Sequence, residues 1–305
     1  MKKYGVIDIG TNSVLLLIGE LGISREIQSL KEDLRVTRIG KGVNETRLLR
    51  KDRMINTLEV LKEYIKECKK SGVEKIKVIG TSALRDAENS NDFLNLVKEE
   101  TGVNVEILSG IREAELSFSG AISGIKDDGL GKTVIDIGGG STEVVFGKGI
   151  KPEYFKSLEI GSIRMTEQFL KSDPPGENEI KEMRNFIKNS LSIFPKSLKT
   201  RLLIGVAGTV TTLAQISLKL PLYDRLQIEN YKMQISNLEE IISLLKERNL
   251  EERKKIAGLL PERADVIAAG AIILEEIMNY FGFNEVIVST RGLRYGVMME
   301  MAERK

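Results

Sequence analysis

The chain has 305 residues, with 46 Lys and Arg against 44 Asp and Glu, one Cys, no Trp and no His, a length that suits about two domains, each able to bury a core. Without His there is no Ser-His-Asp triad and no His-ligated metal, so acid–base work falls to carboxylates, Lys or Tyr, and one Cys supports neither an internal disulfide nor a cysteine zinc site. No apolar run approaches the ~18 residues of a membrane span and the near-balanced charge gives no general reason for nucleic-acid binding, so a cytoplasmic protein without membrane or nucleic-acid partners is expected.

Apolar runs at 4–9 and 14–18 flank Gly10-Thr-Asn-Ser13, which predicts a hairpin with a polar, glycine-started turn. Between 51 and 70, Met54, Leu58, Leu61, Ile65 and Cys68 recur at alternating steps of four and three, one buried helix face that includes the cysteine. Strands are predicted at 75–79 and 103–108, with helices at 92–100 and 112–123. Lys126-Asp-Asp-Gly129 reads as a linker, with Gly129 and Gly131 as hinge candidates. The pattern then restarts with a strand at 133–137, the turn Gly138-Gly-Gly-Ser-Thr142 and a return strand at 143–146. Two elements of the form strand, Asp-Ile-Gly, polar turn, strand stand 128 residues apart, at Asp8 and Asp136, and suggest an internal duplication. Further helices are predicted at 162–170 and 179–194, then a strand at 202–206 entering Ala207-Gly-Thr-Val-Thr211. Helices at 237–247 and 263–281, a strand at 285–288 and a last helix complete the chain. Strands alternating with helices predict an α/β protein of mixed sheets covered by helices.

Three glycines in a row after a buried strand are entropically unfavourable, so the 138–140 triplet is favoured where φ > 0 or close approach to a ligand is required. Such a turn can aim backbone N–H groups and the hydroxyls of Ser141 and Thr142 at an anion. Gly208 and Thr209 open a helix whose positive end favours phosphate, and the 10–13 turn with Asn12 and Ser13 is a third candidate. Ordinary tight turns explain any one of these better than they explain the set. Asp8, Asp136 and Glu143 lie beside the turns. Each Asp suits a turn cap, but carboxylates beside phosphate call for a cation between them, for which Mg²⁺ or Mn²⁺ is the natural occupant. Glu113 and Glu115 follow Ser109-Gly110 at a helix start, where acidic residues are favoured anyway; with no His, a well-placed Glu leads as the base that activates water. Arg85 follows a strand end, and either clamps phosphate oxygens or lies on the surface.

Taken together, Asp8-Ile-Gly-Thr-Asn-Ser13, Gly80-Thr-Ser-Ala-Leu-Arg85, Ser109-Gly-Ile-Arg-Glu-Ala-Glu115, Asp136-Ile-Gly-Gly-Gly-Ser-Thr-Glu143, Gly161-Ser-Ile-Arg164, Ala207-Gly-Thr209, Glu262-Arg-Ala-Asp265 and Ser289-Thr-Arg-Gly-Leu-Arg294 span nearly the whole chain. In that order they resemble the exopolyphosphatase / guanosine pentaphosphate phosphohydrolase family of the actin-like ATPase superfamily. The resemblance implies two actin-like (ribonuclease H-like) domains of mixed sheet and helix around an interdomain cleft, at 1–125 and 126–305, the last helix packing back on the first. It implies hydrolysis of the terminal phosphoanhydride of inorganic polyphosphate or guanosine pentaphosphate, and a homodimer. By motif position Glu113 matches the catalytic base, and Arg85, which falls with the phosphate-binding positions, is assigned to catalysis with it. Asp136 and Glu143 match metal-associated carboxylates, with Asp8 acting directly or through water. Asn12, Ser13, Gly138, Gly139, Gly140, Ser141, Thr142, Gly208 and Thr209 match the phosphate turns. The chain ends at Lys305 without His, like the short form that lacks a histidine-containing HD-type extension. Thr290 and Tyr295 replace the two acids of the family's Ser-Asp-Arg-Gly-Leu-Arg-Glu-Gly, so no catalytic role is expected there. The alternatives are an ATP-dependent kinase of the same superfamily and a non-catalytic filament former or alarmone sensor.

Overall fold

The computed structural model describes residues 2–22, 27–125, 129–149, 151–195, 198 and 200–303; the linker residues 126–128 lie outside these. The chain divides into two units, Met1–Ser123 with Arg291–Lys305, and Gly124–Thr290.

The first unit is built on a five-stranded sheet of order β3-β2-β1-β4-β5. Its strands are β1 (Lys3–Ile9), β2 (Ser13–Leu21), β3 (Ile27–Val36), β4 (Lys75–Gly80) and β5 (Val105–Ile107). The first three form an antiparallel meander, while β4 and β5 add parallel to β1. The crossovers carry α1 (Val43–Thr46), α2 (Lys51–Lys70), α3 (Ser82–Asp86) and α4 (Ser90–Thr101), and α5 (Gly110–Ile122) follows β5. Side chains alternate across β1: Ile7 and Ile9 pack with Leu58, Leu61, Ile65 and Cys68 of α2, whereas Val6 packs with Leu116 of α5. The same alternation puts Asp8 on the α5 face.

The second unit repeats the scheme. Its strands are β6 (Gly131–Ile137), β7 (Thr142–Lys148), β8 (Lys151–Leu158), β9 (Leu202–Val206), β10 (Lys232–Gln234) and β11 (Glu285–Val288), in the order β10-β11-β9-β6-β7-β8. The helices are α6 (Ser162–Phe169), α7 (Glu177–Leu191), α8 (Ala207–Ser217), α9 (Arg225–Ile228), α10 (Ile235–Lys246), α11 (Leu250–Arg253) and α12 (Ile267–Phe281). The sequence β8-β7-β6-β9-β11 reproduces β3-β2-β1-β4-β5, and the hairpins share a closing bond: Gly10 N–H donates to Ser13 O and Gly138 N–H to Ser141 O, both at 3.0 Å. The duplication read from two Asp-Ile-Gly segments is therefore a duplication of the sheet. The unit's core gathers Ile135, Ile137 and Val144 with Met183, Ile187, Leu213 and Ile272. Of the two hinge candidates, Gly131 is held in β6 opposite Lys148, and Gly129 has φ +69°.

The last helix, α13 (Leu293–Glu303), belongs to the first unit and packs on α5. Glycines allow the backbones to touch: a Cβ on Gly296 would overlap the Leu116 carbonyl, standing 2.7 Å from its carbon. Tyr295, a departure from the family motif, is fully buried and its hydroxyl donates to Glu32 at 2.7 Å, so it is a core residue. Gly296→Ala is expected to lower unfolding stability by about 1–3 kcal/mol, the usual penalty for overpacking, measurable by urea denaturation; unchanged stability would contradict the packing.

Three strands escape the sequence reading, the three-residue edge strand β10 among them. β3 and β8 are the outer third strands of their meanders, mixed in charge and only partly buried. Edge strands carry such charges, and Pro152 in β8, because they have one unpaired side. They lack the apolar run by which a central strand is recognised.

Candidate phosphate-binding and catalytic site

Within the first unit the candidates collect at the carboxyl ends of β1, β4 and β5, the edge at which open α/β sheets bind ligands. Thr81 N–H donates to Ile9 O at 3.2 Å, Thr11 Oγ1 meets Ser82 Oγ at 2.8 Å, and Leu108 N–H donates to Gly80 O at 2.9 Å, which ties the three strand ends together. Ser109 caps α5 by accepting from Arg112 N–H, and one turn on, Glu113 is 7% exposed. Arg85 Nη1 donates to Glu113 Oε2 and to Leu108 O, both at 2.9 Å. The two residues assigned to catalysis are thus bonded, and a charge-assisted bond of this kind fixes the carboxylate's direction. Glu115, the other acid at this helix start, pairs instead with Arg112 at 2.8 Å.

The carbonyls of the 10–13 turn are consumed from one side. Thr11 O accepts from Gly40, and Asn12 O accepts from Thr37 and Arg38. In a trans peptide the N–H opposes the preceding carbonyl, so the N–H groups of Asn12 and Ser13 face the other way. Asn12 Oδ1 is buried without a hydrogen-bond partner among the described residues, an acceptor suited to a cation, a water or a ligand donor. Asp8 stands opposite Leu15, so this hairpin carries one carboxylate rather than a pair.

In the second unit the 138–141 turn is held by the start of α6. Gly138 O accepts from Ser162 N–H at 2.9 Å, Gly139 O from Ile163 and Arg164 N–H at 2.9 and 3.0 Å, and Gly140 O from Arg164 Nε at 2.7 Å. With three carbonyls directed at α6, the N–H groups of Gly139, Gly140 and Ser141 turn to the opposite side, an anion-binding set of three donors. None of the three glycines has positive φ. A Cβ at Gly138 would stand 3.2 Å from Ser141 O, and position 161 must be glycine because it packs directly on the Gly139 carbonyl. The Thr142 hydroxyl, expected to face an anion, is fully buried and donates to the Ile160 carbonyl, which takes it out of the set.

At the end of β9, Ala207, the first residue of α8, adopts φ +68° ahead of Gly208, a strained turn of the kind found at ligand sites. Thr209 is buried beneath α12, where a Cβ on Gly270 would overlap its methyl. Arg263 is a functional candidate that the sequence reading left without a role. Its guanidinium lies against Gly208, whose Cβ would stand 2.6 Å from Arg263 Cζ. Burial pushes its pKa down to about 10, opposed by the nearby Tyr223 phenol, so it stays cationic at neutral pH beside the Gly208 turn.

Asp136 and Glu143 are direct partners across β6 and β7, which puts both carboxylates on one sheet face with Cβ atoms about 5 Å apart. Both are buried, and Ser157 Oγ donates to Glu143 Oε1 at 2.6 Å. Two buried carboxylates this close repel, and a divalent cation between them would relieve the repulsion. Two hard oxygen donors beside an N–H cradle fit Mg²⁺. Among the described residues no group of three or more ligating acids, His or Cys occurs, so such an ion would complete its shell with water and phosphate oxygens.

Duplicated mixed sheets, each with a glycine-containing polar turn at its carboxyl edge, define a two-unit α/β protein. The model of the Ppx/GppA phosphatase family matches residues 19–305, and the chain belongs to that family. It is 31% identical to an exopolyphosphatase 2 of Mycobacterium tuberculosis, over 99% of both chains. It is 27% identical to a guanosine-5'-triphosphate,3'-diphosphate pyrophosphatase of Photobacterium profundum, over 99% of this chain and 59% of the other. Among solved structures, the Aquifex aeolicus Ppx/GppA family member is 34% identical with a TM-score of 0.85, over 100% of this chain and 99% of that one. The chain spans about half (46%) of the length of another curated relative that it matches.

Proposed function

We propose that the protein is a Mg²⁺-dependent (or Mn²⁺-dependent) phosphoanhydride hydrolase that removes the terminal phosphate of inorganic polyphosphate and the 5′ γ-phosphate of guanosine pentaphosphate. The observation that carries the reading is the buried Glu113 fixed by Arg85 at a ligand-binding sheet edge; a module that only binds nucleotide needs no such base. Family membership and the names of the relatives support the substrate class.

In this reading the N–H groups of Gly139, Gly140 and Ser141, with Arg263, are the second unit's donors to the phosphate oxygens, and Asn12, Ser13 and Arg85 are the first unit's. Asp136 and Glu143, with Asp8, would hold the metal ion, which offsets charge on the bridging and leaving oxygens when bound. Glu113 takes a proton from water as its oxygen bonds to phosphorus and the bridging P–O bond breaks. Phosphoryl transfer rests mostly on positioning and charge stabilisation, so this set of groups is sufficient. Cytoplasmic residence belongs to the same reading; among the described residues no helix is long and apolar enough to cross a membrane.

Parallel assays of orthophosphate release from short polyphosphate, long polyphosphate, guanosine pentaphosphate and ATP test the proposal. Release from the first three without a second substrate supports it, while ADP formation that requires an acceptor indicates a kinase. Asp136→Asn is expected to raise the Mg²⁺ concentration for half-maximal rate roughly 10–100-fold, the scale on which metal sites respond to loss of a supporting group. An unchanged Mg²⁺ titration would remove Asp136 from the metal site.

A further inference from the structure

The phosphate machinery cannot separate a nucleotide from polyphosphate, since both present the same terminal anhydride. A surface of the second unit can. Between α8 and β10 the chain turns its large apolar side chains outward: Leu222 is 79%, Tyr223 51% and Leu226 89% exposed. The segment is nevertheless firmly built. Left-handed residues Lys219 (φ 53°) and Asn230 (φ 61°) bracket it, Asp224 accepts from Leu226 N–H at 2.9 Å, and Ile228 is fully buried.

Its anchor is the end of β11. Arg225 Nε donates to Thr290 Oγ1 at 3.0 Å, Thr290 N–H donates to Glu229 at 2.7 Å, and Asn230 N–H donates to Val288 O at 2.8 Å. Thr290 therefore has a local structural role where the family motif has an acid. Strands β11, β9 and β6 are consecutive neighbours, and the parallel pairs put their carboxyl ends on one edge. At about 4.8 Å per strand, the anchor lies roughly 5 Å along that edge from the Gly208 turn and roughly 10 Å from the 138–141 turn. Arg263 packs on Gly208 and lies within electrostatic reach of Tyr223. An aromatic and aliphatic segment is thus anchored about one nucleotide's length along the edge from the 138–141 turn, beyond the Gly208 turn on which Arg263 packs. A bare phosphate chain has nothing to place there, whereas a purine has a flat apolar face.

We propose that Tyr223, flanked by Leu222 and Leu226, is a base platform that selects guanosine pentaphosphate over polyphosphate; this rests on the phosphohydrolase reading of the same site. The test measures kcat and KM of the full chain with guanosine pentaphosphate and with short polyphosphate, in the wild type, Tyr223→Ala and Tyr223→Phe. Loss of a base–aromatic stack is expected to raise the nucleotide KM about tenfold in Tyr223→Ala, with the polyphosphate KM unchanged and Tyr223→Phe close to wild type. Equal effects on both substrates, or none on either, overturn the platform. So does a wild type that hydrolyses polyphosphate but neither hydrolyses nor binds the nucleotide, although the hydrolase reading then survives. If the wild type hydrolyses neither substrate, that reading fails, and calorimetry with guanosine pentaphosphate and tripolyphosphate decides the platform: weakening of the nucleotide alone by Tyr223→Ala supports it, and any other pattern refutes it. A change of oligomeric state in Tyr223→Ala with unaltered substrate preference would make the surface an interface between copies and end the proposal.

Discussion

Glu113→Gln is expected to lower turnover roughly 10²–10⁴-fold while leaving KM nearly unchanged, the usual contribution of a general base. Glutamine has the same shape, and its amide oxygen can accept from Arg85 Nη1 where Glu113 Oε2 now does, at 2.9 Å. The geometry then survives and the proton acceptor does not. Steady-state phosphate release gives kcat and KM separately, and circular dichroism verifies that the variant folds. Near-normal turnover in a folded variant would take Glu113 out of the role of base.

Gly161→Ala is expected to lower kcat/KM about 100-fold or more without touching any side chain of the site. A Cβ there would overlap the Gly139 carbonyl and stand 2.5 Å from Gly140 N. Both neighbours are backbone, so no rotamer change relieves the clash and the turn itself must move. That turn is held from the same side by Ser162, Ile163 and Arg164, so the three anion-facing N–H groups move with it. Misplacement of about 1 Å at a reacting centre is worth about 100-fold, and overpacking should also cost about 1–3 kcal/mol of stability. Kinetics and urea denaturation on one preparation separate the two effects. Normal kinetics in a destabilised variant would mean that the 138–141 turn does not hold the substrate.

The features legible in the sequence were those with local periodicity or a local covalent signature. The apolar face of α2 follows from steps of four and three, and both central hairpins follow from apolar runs around a polar turn. That Glu143 lies across the hairpin from Asp136 was legible, but their direct pairing was not: the turn read as five residues, 138–142, has four in the structure, and loop length sets the register. Features made by distant segments were not legible. The need for glycine at 161, where a Cβ would fall on the Gly139 carbonyl more than twenty residues back, is of this kind. Thr142 looked like an anion donor because nothing local shows that Ile160 O lies above it. Arg263 lies far from Gly208 in sequence, and only the fold places its guanidinium on that turn. The bond between Arg85 and Glu113 is of the same kind: sequence named both residues, and the parallel placement of β4 and β5 brings them together.

The central claim is that water, rather than an acceptor molecule, attacks the terminal phosphorus. It is tested most directly by running the Mg²⁺-supported reaction with polyphosphate and guanosine pentaphosphate in ¹⁸O-labelled water and weighing the released orthophosphate by mass spectrometry. The account predicts one ¹⁸O atom in each orthophosphate released and none in the shortened substrate. Unlabelled orthophosphate, or no release until an acceptor is added, would contradict it.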